Sequence, residues 1–156
     1  MHLDELDLRI LTQLQADASL TNDKLAQAVH ASAPTCLRRV RRLRASGVIQ
    51  RVVAVLDPRL AGEPLTAIVE ITLQTQTADA QARFEMLVAQ EVAVQQCYRV
   101  STGPDFVMII TVHDMGAYHA LVHRLLTAAN HVRNVRTFFS IKRSKFEVAL
   151  PLRWPD

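Results

Sequence analysis

Between Leu3 and Asp17 the apolar positions Leu3, Leu6, Ile10 and Leu14, with Leu11 alongside, fall three and four residues apart, while Asp4, Asp7, Arg9 and Gln13 lie off that stripe. The spacing predicts an amphipathic helix. A shorter second helix follows, with Thr21 where an N-cap belongs, Asp23 in the first turn and an apolar face of Leu25, Ala26 and Val29. After a break at His30-Ala31, Ser32 offers its hydroxyl as the next N-cap, and Pro34 is tolerated because first-turn amides have no intrahelical partner. A third helix is therefore predicted from about Ala33, with Gly47 placed to end it. Gly47-Val48-Ile49 and the alternating run from Gln50 to Leu56 then predict a β wing, making residues 1–56 a winged helix-turn-helix.

Asp57-Pro58 and Gly62-Glu63-Pro64 break regular structure twice, so residues 57–64 read as a linker. Beyond it the period changes from helical to alternating. Ala67, Val69, Ile71 and Leu73 alternate with Thr66, Ile68, Glu70 and Thr72, which predicts a strand with one strongly apolar face. A helix from about Asp79 to Gln90 is carried by Phe84, Leu87 and Val88. Val92 to Ser101 and Phe106 to Val112 are two β-rich runs joined by Thr102-Gly103-Pro104-Asp105, a hairpin. Tyr118, Leu121, Val122, Leu125 and Ala129 mark another amphipathic helix, and Val135 to Ile141 a last strand. Residues 65–156 thus predict a βαββαβ, ferredoxin-like domain, and the chain as a whole an α+β protein. One face of such a sheet needs a cover, which favours a homodimer formed through sheet faces.

Charge sharpens this two-module picture. The net charge is only +3, but residues 1–51 carry eight basic against five acidic side chains, and the rest of the chain carries ten of each. The whole excess belongs to the first third, which favours an anion-binding module joined to a neutral one. Five of those cations, Arg38, Arg39, Arg41, Arg42 and Arg44, sit on the third helix. On a helical wheel Cys36, Val40 and Leu43 form the inward stripe, Arg38, Arg41 and Arg42 point away from it beside Thr35, and Arg39 and Arg44 flank it. In the thirty residues before Arg38 the only acids are Asp17 and Asp23, so a nucleic-acid polyanion is the expected counter-charge.

Other classes receive less support. The composition, 49% apolar and 21% charged, is that of a folded domain. No apolar run long enough for a bilayer and no basic-then-apolar leader occur, so no membrane partner and a cytoplasmic location are expected. Cys36 and Cys97 lack CxxC spacing and predict reduced thiols. His119 and His123 stand four apart on a helix, but no glutamate between them and no further ligand set argues for a metal, so none is expected. Cys97 and His113 meeting across the hairpin as thiol and base is a weaker reading than a half-buried cysteine. Without a GxSxG, Walker or dinucleotide motif, neither an enzyme nor a cofactor beyond a small effector is expected.

The stretches "LDELDLRILTQLQADA", "LAQAVHAS", "CLRRVRRLRASGVIQR" and "AVLDP" resemble the first three helices, wing and linker of the Lrp/AsnC, or feast/famine, transcription regulators. "CYRVSTGPDFVMIITVHDMGAY" and the spacing to "VRTFFSIK" agree with that family's second domain. The resemblance covers nearly the whole chain. It implies a sequence-specific regulator that binds double-stranded DNA, responds to a small effector, commonly an amino acid, and assembles as homodimers and further to octamers. For DNA it implies Thr21, Ser32, Ala33, Thr35, Arg38, Arg39, Arg41 and Arg42, with Arg51 on the wing touching phosphate. For the effector it implies the loop Ser101, Thr102, Gly103, Pro104, Asp105 and Phe106, with Thr137 from the last strand, near a subunit boundary. Backbone amides around Gly103 would hold a carboxylate and Asp105 an ammonium group. A tight hairpin turn in which Asp105 bonds its own backbone is the plain alternative.

Three positions depart from the family pattern: His30 stands where glycine is common, Thr102 where the effector loop usually has glycine, and Phe139 where a hydroxyl is frequent. The first suggests a different approach into the third helix. The competing function is an architectural DNA-binding protein of the same fold with no effector, recognisable by a low ratio of specific to non-specific affinity.

Overall fold

A computed structural model describes residues 2–152. The chain divides into two compact units, one reaching Val55 and rejoined by the chain from Lys145 onward, the other running from Leu56 to Ser144.

Unit 1 is built on α1 (Glu5–Ala16), α2 (Asn22–Ala28) and α3 (Ala33–Ala45). Each begins on a side chain that satisfies an end amide: Asp4 accepts from Asp7, Thr21 from Lys24 and Ser32 from Thr35. Ile10, Leu25, Val29, Cys36 and Leu43 close into one buried cluster, so the apolar stripe read on each helix does meet the others. Gly47 takes φ +76 just past α3, the left-handed conformation that lets the chain turn away. His30 does the same between α2 and α3, at φ +55. The expected different approach into α3 is therefore not needed, because histidine adopts the strained angle itself.

One expectation about unit 1 needs correction, and one of its contacts was not foreseen. The β wing is absent as a strand: residues 50–56 make no ladder, and Val52, Val53, Val55 and Leu56 are all exposed. Alternation shows that a segment suits a sheet, but a strand exists only where another backbone meets it. The segment around Leu150, which the sequence placed in the 65–156 domain, packs with unit 1 and meets α1. The Gln15 amide donates to the Leu150 carbonyl at 3.1 Å and accepts the Leu150 N–H at 2.7 Å, pairing with the backbone as a neighbouring strand would, and Leu152 packs against the helical core.

Unit 2 opens with a short 3-10 turn, Pro58–Ala61, inside the expected linker. It continues as β1 (Leu65–Leu73), α4 (Ala78–Ala89), β2 (Val94–Arg99), β3 (Phe106–Val112), α5 (Met115–Leu125) and β4 (Val132–Phe139). The sheet order is β2-β3-β1-β4 with every pairing antiparallel, the ferredoxin-like arrangement. The last strand starts three residues before the expected Val135, because Val132 pairs with Leu73 across a register shift that interrupts the alternation. Ala67, Val69, Ile71 and Leu73 of β1 and Phe106, Met108 and Ile110 of β3 pack with Phe84 of α4 and with Tyr118 and Leu121 of α5. Ile68, Phe138 and Tyr98, on the opposite face of the sheet, remain exposed.

Candidate nucleic-acid interface and effector loop

The start of α3 is held by three polar contacts. Ser32 donates its hydroxyl proton to Thr35 Oγ1 at 2.9 Å and accepts the Thr35 amide at 3.4 Å, and Asn22 donates its side-chain amide to the Ala33 carbonyl at 3.0 Å. Thr35 is half-buried while Ser32 and Pro34 are exposed, so the first turn presents a small, polar, fixed surface. Thr21 is exposed and spends its hydroxyl on capping α2.

The arginines separate into two sets. Arg38, Arg41 and Arg44 are exposed and have no carboxylate partner among the described residues. Arg39 and Arg42 point back along the flank of α3 that faces the start of α1. Arg39 Nη1 donates to Asp4 and, at 3.2 Å, to Asp7 Oδ1, and Arg42 Nη2 donates to Asp7 Oδ2. Asp7 is fully buried. The wheel placed Arg42 on the free outer face and Arg39 on the flank of the apolar stripe. Arg39 does flank the apolar stripe, as the wheel placed it; the correction is that Arg42 is not free, because a wheel gives direction about one axis and does not show which neighbour crosses it. Asp4 and Asp7 also cap each other: the Asp7 amide donates to Asp4 Oδ1 at 2.9 Å, and the Asp4 amide to Asp7 Oδ2 at 3.2 Å. That backbone bond and the Arg39 guanidinium hold the Asp4 carboxyl below its ordinary 3.8. Asp4 in turn raises Arg39.

In unit 2 the turn between β2 and β3 is exposed at Ser101, Thr102 and Gly103, with Gly103 at φ +86. Its far end is not. Asp105 is buried, its amide donates to the Ile71 carbonyl at 2.8 Å, and its Oδ2 accepts the Leu73 amide at 2.7 Å. The carboxylate thus bonds backbone, as the plain alternative held, but that of β1 rather than its own turn. Phe106 is a core residue, its ring 4.9 Å from that of Phe84, which corrects its assignment as an effector contact. Thr137 shares a hydrogen bond with the buried Tyr118 hydroxyl, under the edge of Phe139. Thr137 pairs with Val69 on one side of β1, and Phe106 with Ile71 on the other. At about 3.3 Å per residue and about 4.8 Å per strand, Asp105 and Thr137 stand roughly 14 Å apart in one chain. The structure does not bring them together.

Among the described residues no three His, Cys, Asp or Glu side chains cluster as metal ligands. His119 and His123 are exposed, with ring centroids 6.5 Å apart. Cys97 pairs with Met108, five residues before His113, so that thiol and base do not meet. Burial pushes both thiols up, and the Glu85 carboxylate adds to the effect at Cys97.

Residues 66–150 match the model of the Lrp/AsnC ligand binding domain, and residues 3–50 match a winged helix-turn-helix DNA-binding model. The chain belongs to the Lrp/AsnC family. It is a DNA-binding transcriptional regulator with a ligand-binding second domain. The leucine-responsive regulatory protein of Escherichia coli K12 is 35% identical over 143 residues, 92% of this chain and 87% of that one. An AsnC family regulator from Agrobacterium tumefaciens superposes with a TM-score of 0.86 at 33% identity, covering 96% and 97% of the two chains. A Neisseria meningitidis regulator, solved as its complex with L-Met, gives 0.83 at 29% identity over the same shares.

Within this Lrp/AsnC chain, sequence reasoning missed Asp4 and Asp7 as partners of α3, although an acid three residues after another at a helix start is a capping signal. It also missed Tyr118, for which an aromatic at the head of an amphipathic helix gave no sign beyond core packing. Among the described residues no helix is long and apolar enough to cross a membrane.

Proposed function

We propose that this regulator reads DNA through the exposed side of α3, with Thr35 and Ser32 nearest the bases and Arg38, Arg41 and Arg44 on phosphates or guanine edges. Ala33 lies in the same first turn, and Arg51 adds a phosphate contact from the exposed wing segment. The observation carrying this reading is the unpaired, exposed triad of arginines beside a capped helix start. Arg38→Ala is expected to weaken operator binding by about 1–3 kcal/mol in a gel-shift titration. Unchanged affinity would remove α3 from the interface.

The effector is proposed to be an amino acid, as the L-Met complex of the Neisseria regulator supports. Its carboxylate meets the backbone amides of Ser101, Thr102 and Gly103, beside Pro104, while Asp105 fixes that loop to β1. Because Thr137 is too far from the loop in the same chain, the second half of the site comes from another copy. The exposed sheet face carrying Ile68, Tyr98 and Phe138 supports a homodimer, from which an octamer can assemble. Such a protein acts in the cytoplasm, without enzymatic chemistry or further cofactor. Calorimetry with a panel of amino acids tests the effector. Heat from at least one is expected, and silence from all would favour the effector-independent architectural protein.

A further inference from the structure

The ion pairs of this chain fall into two kinds. Arg59–Asp57, Arg99–Glu85 and Arg124–Glu91 lie in solvent, with both partners partly exposed. Such pairs are screened and open at little cost, so their cations stay available to any stronger anion. The pairs of Asp7 are different. Its carboxylate has no exposure, and both oxygens are engaged by guanidinium groups from α3. If DNA phosphates drew Arg39 and Arg42 away, Asp7 would be left as a buried charge with no water to solvate it. Arg39 is also inserted rather than lying on the surface: its side chain is 19% exposed and its Nε is buried without a partner.

We infer that Asp7 is a specificity-determining residue for DNA binding. It acts as an internal anion that competes with phosphate for Arg39 and Arg42 and so limits non-specific affinity. This rests on the reading of α3 as the DNA-binding helix. Asp4 assists from the rim, where it shares Arg39. Five arginines in seven residues would otherwise bind any duplex through counterion release, whatever its sequence. With two of them neutralised from within, phosphate contact is left to Arg38, Arg41 and Arg44, and Arg39 and Arg42 fix how α3 lies against α1. Asp7 touches no base and acts only through these side chains.

The test is the salt dependence of affinity for a random-sequence duplex, measured by fluorescence anisotropy on the full chain. Asp7→Asn is expected to bind that duplex more tightly, with a log–log slope steeper by about 0.9 for each guanidinium released. A merely structural loss would weaken binding without steepening the slope. Arg42→Gln keeps the measurement decisive if the Asp7 variant does not fold, and is expected to leave the slope as it is in the parent chain. A slope flattened by about 0.9 in Arg42→Gln, or unchanged in a folded Asp7→Asn protein, overturns the inference. Neither result touches the DNA-binding reading, which fails separately if the parent chain shows no salt-dependent binding at all.

Discussion

Two carboxylates are buried among the described residues, one in each unit, and they serve opposite ends. Asp7 meets cations: it pairs with Arg39, which Asp4 shares, and with Arg42, and so ties α1 to α3. Asp105 meets none. It accepts an amide hydrogen from Leu73 and, through its own amide, stitches the start of β3 to the end of β1. The difference teaches what each unit requires of an acid. A helix crowded with arginine needs a counter-charge, whereas a strand with a loose backbone donor at its end needs only an acceptor oxygen. The charge at Asp7 is therefore part of the fold of unit 1, while at Asp105 the geometry of one oxygen carries the contact.

Substitution separates these roles. Asp7→Ala leaves two guanidiniums without their buried partner and is expected to lower stability by about 3–5 kcal/mol in denaturant unfolding. Asp105→Ala strands one buried amide and is expected to lose less, about 1–3 kcal/mol. Asparagine sharpens the contrast: at 105 its side-chain carbonyl restores most of the loss, and at 7 it restores little. Equal recovery at both positions would show that charge matters at neither. A smaller effect is expected at His30, where glycine relieves the positive φ and should raise stability by about 0.5–1 kcal/mol, read as a higher Tm.

The smallest effect is the pH response of unit 1. The Asp4 carboxyl titrates below its ordinary 3.8 when folded, so its contribution is fully present above that value and is lost as pH falls through the folded value. Acid titration monitored by helical circular dichroism should show this step in the parent chain. Asp4→Asn, which keeps a cap acceptor but not the charge, should flatten it.

Most of the architecture was legible because its causes are local. Capping hydroxyls at Thr21 and Ser32, the three- and four-residue spacing of α1, and the strict alternation of β1 each reflect backbone geometry acting within a few residues. What escaped depends on which distant element arrives. Residues 50–56 alternate like a strand but find no partner backbone, and Gln15 takes up the backbone of Leu150, 135 residues away. The same limit governed the sites. The outward turn of Arg38 and Arg41 follows from helical periodicity alone, whereas the capture of Arg42 by Asp7 depends on how two helices cross. In the loop proposed for the effector, the exposed turn at Gly103 was readable from its residue types, but the burial of Asp105 and Phe106 was set by β1 and α4.

The free side of α3 is proposed to meet the DNA backbone. That contact is tested most directly by comparing the salt dependence of DNA affinity in the parent chain with that of an Arg38→Gln, Arg41→Gln double variant. A slope flatter by about 1.8 is predicted, the loss of two phosphate-bound cations. An unchanged slope in a folded double variant would mean that this side of α3 does not touch DNA phosphates.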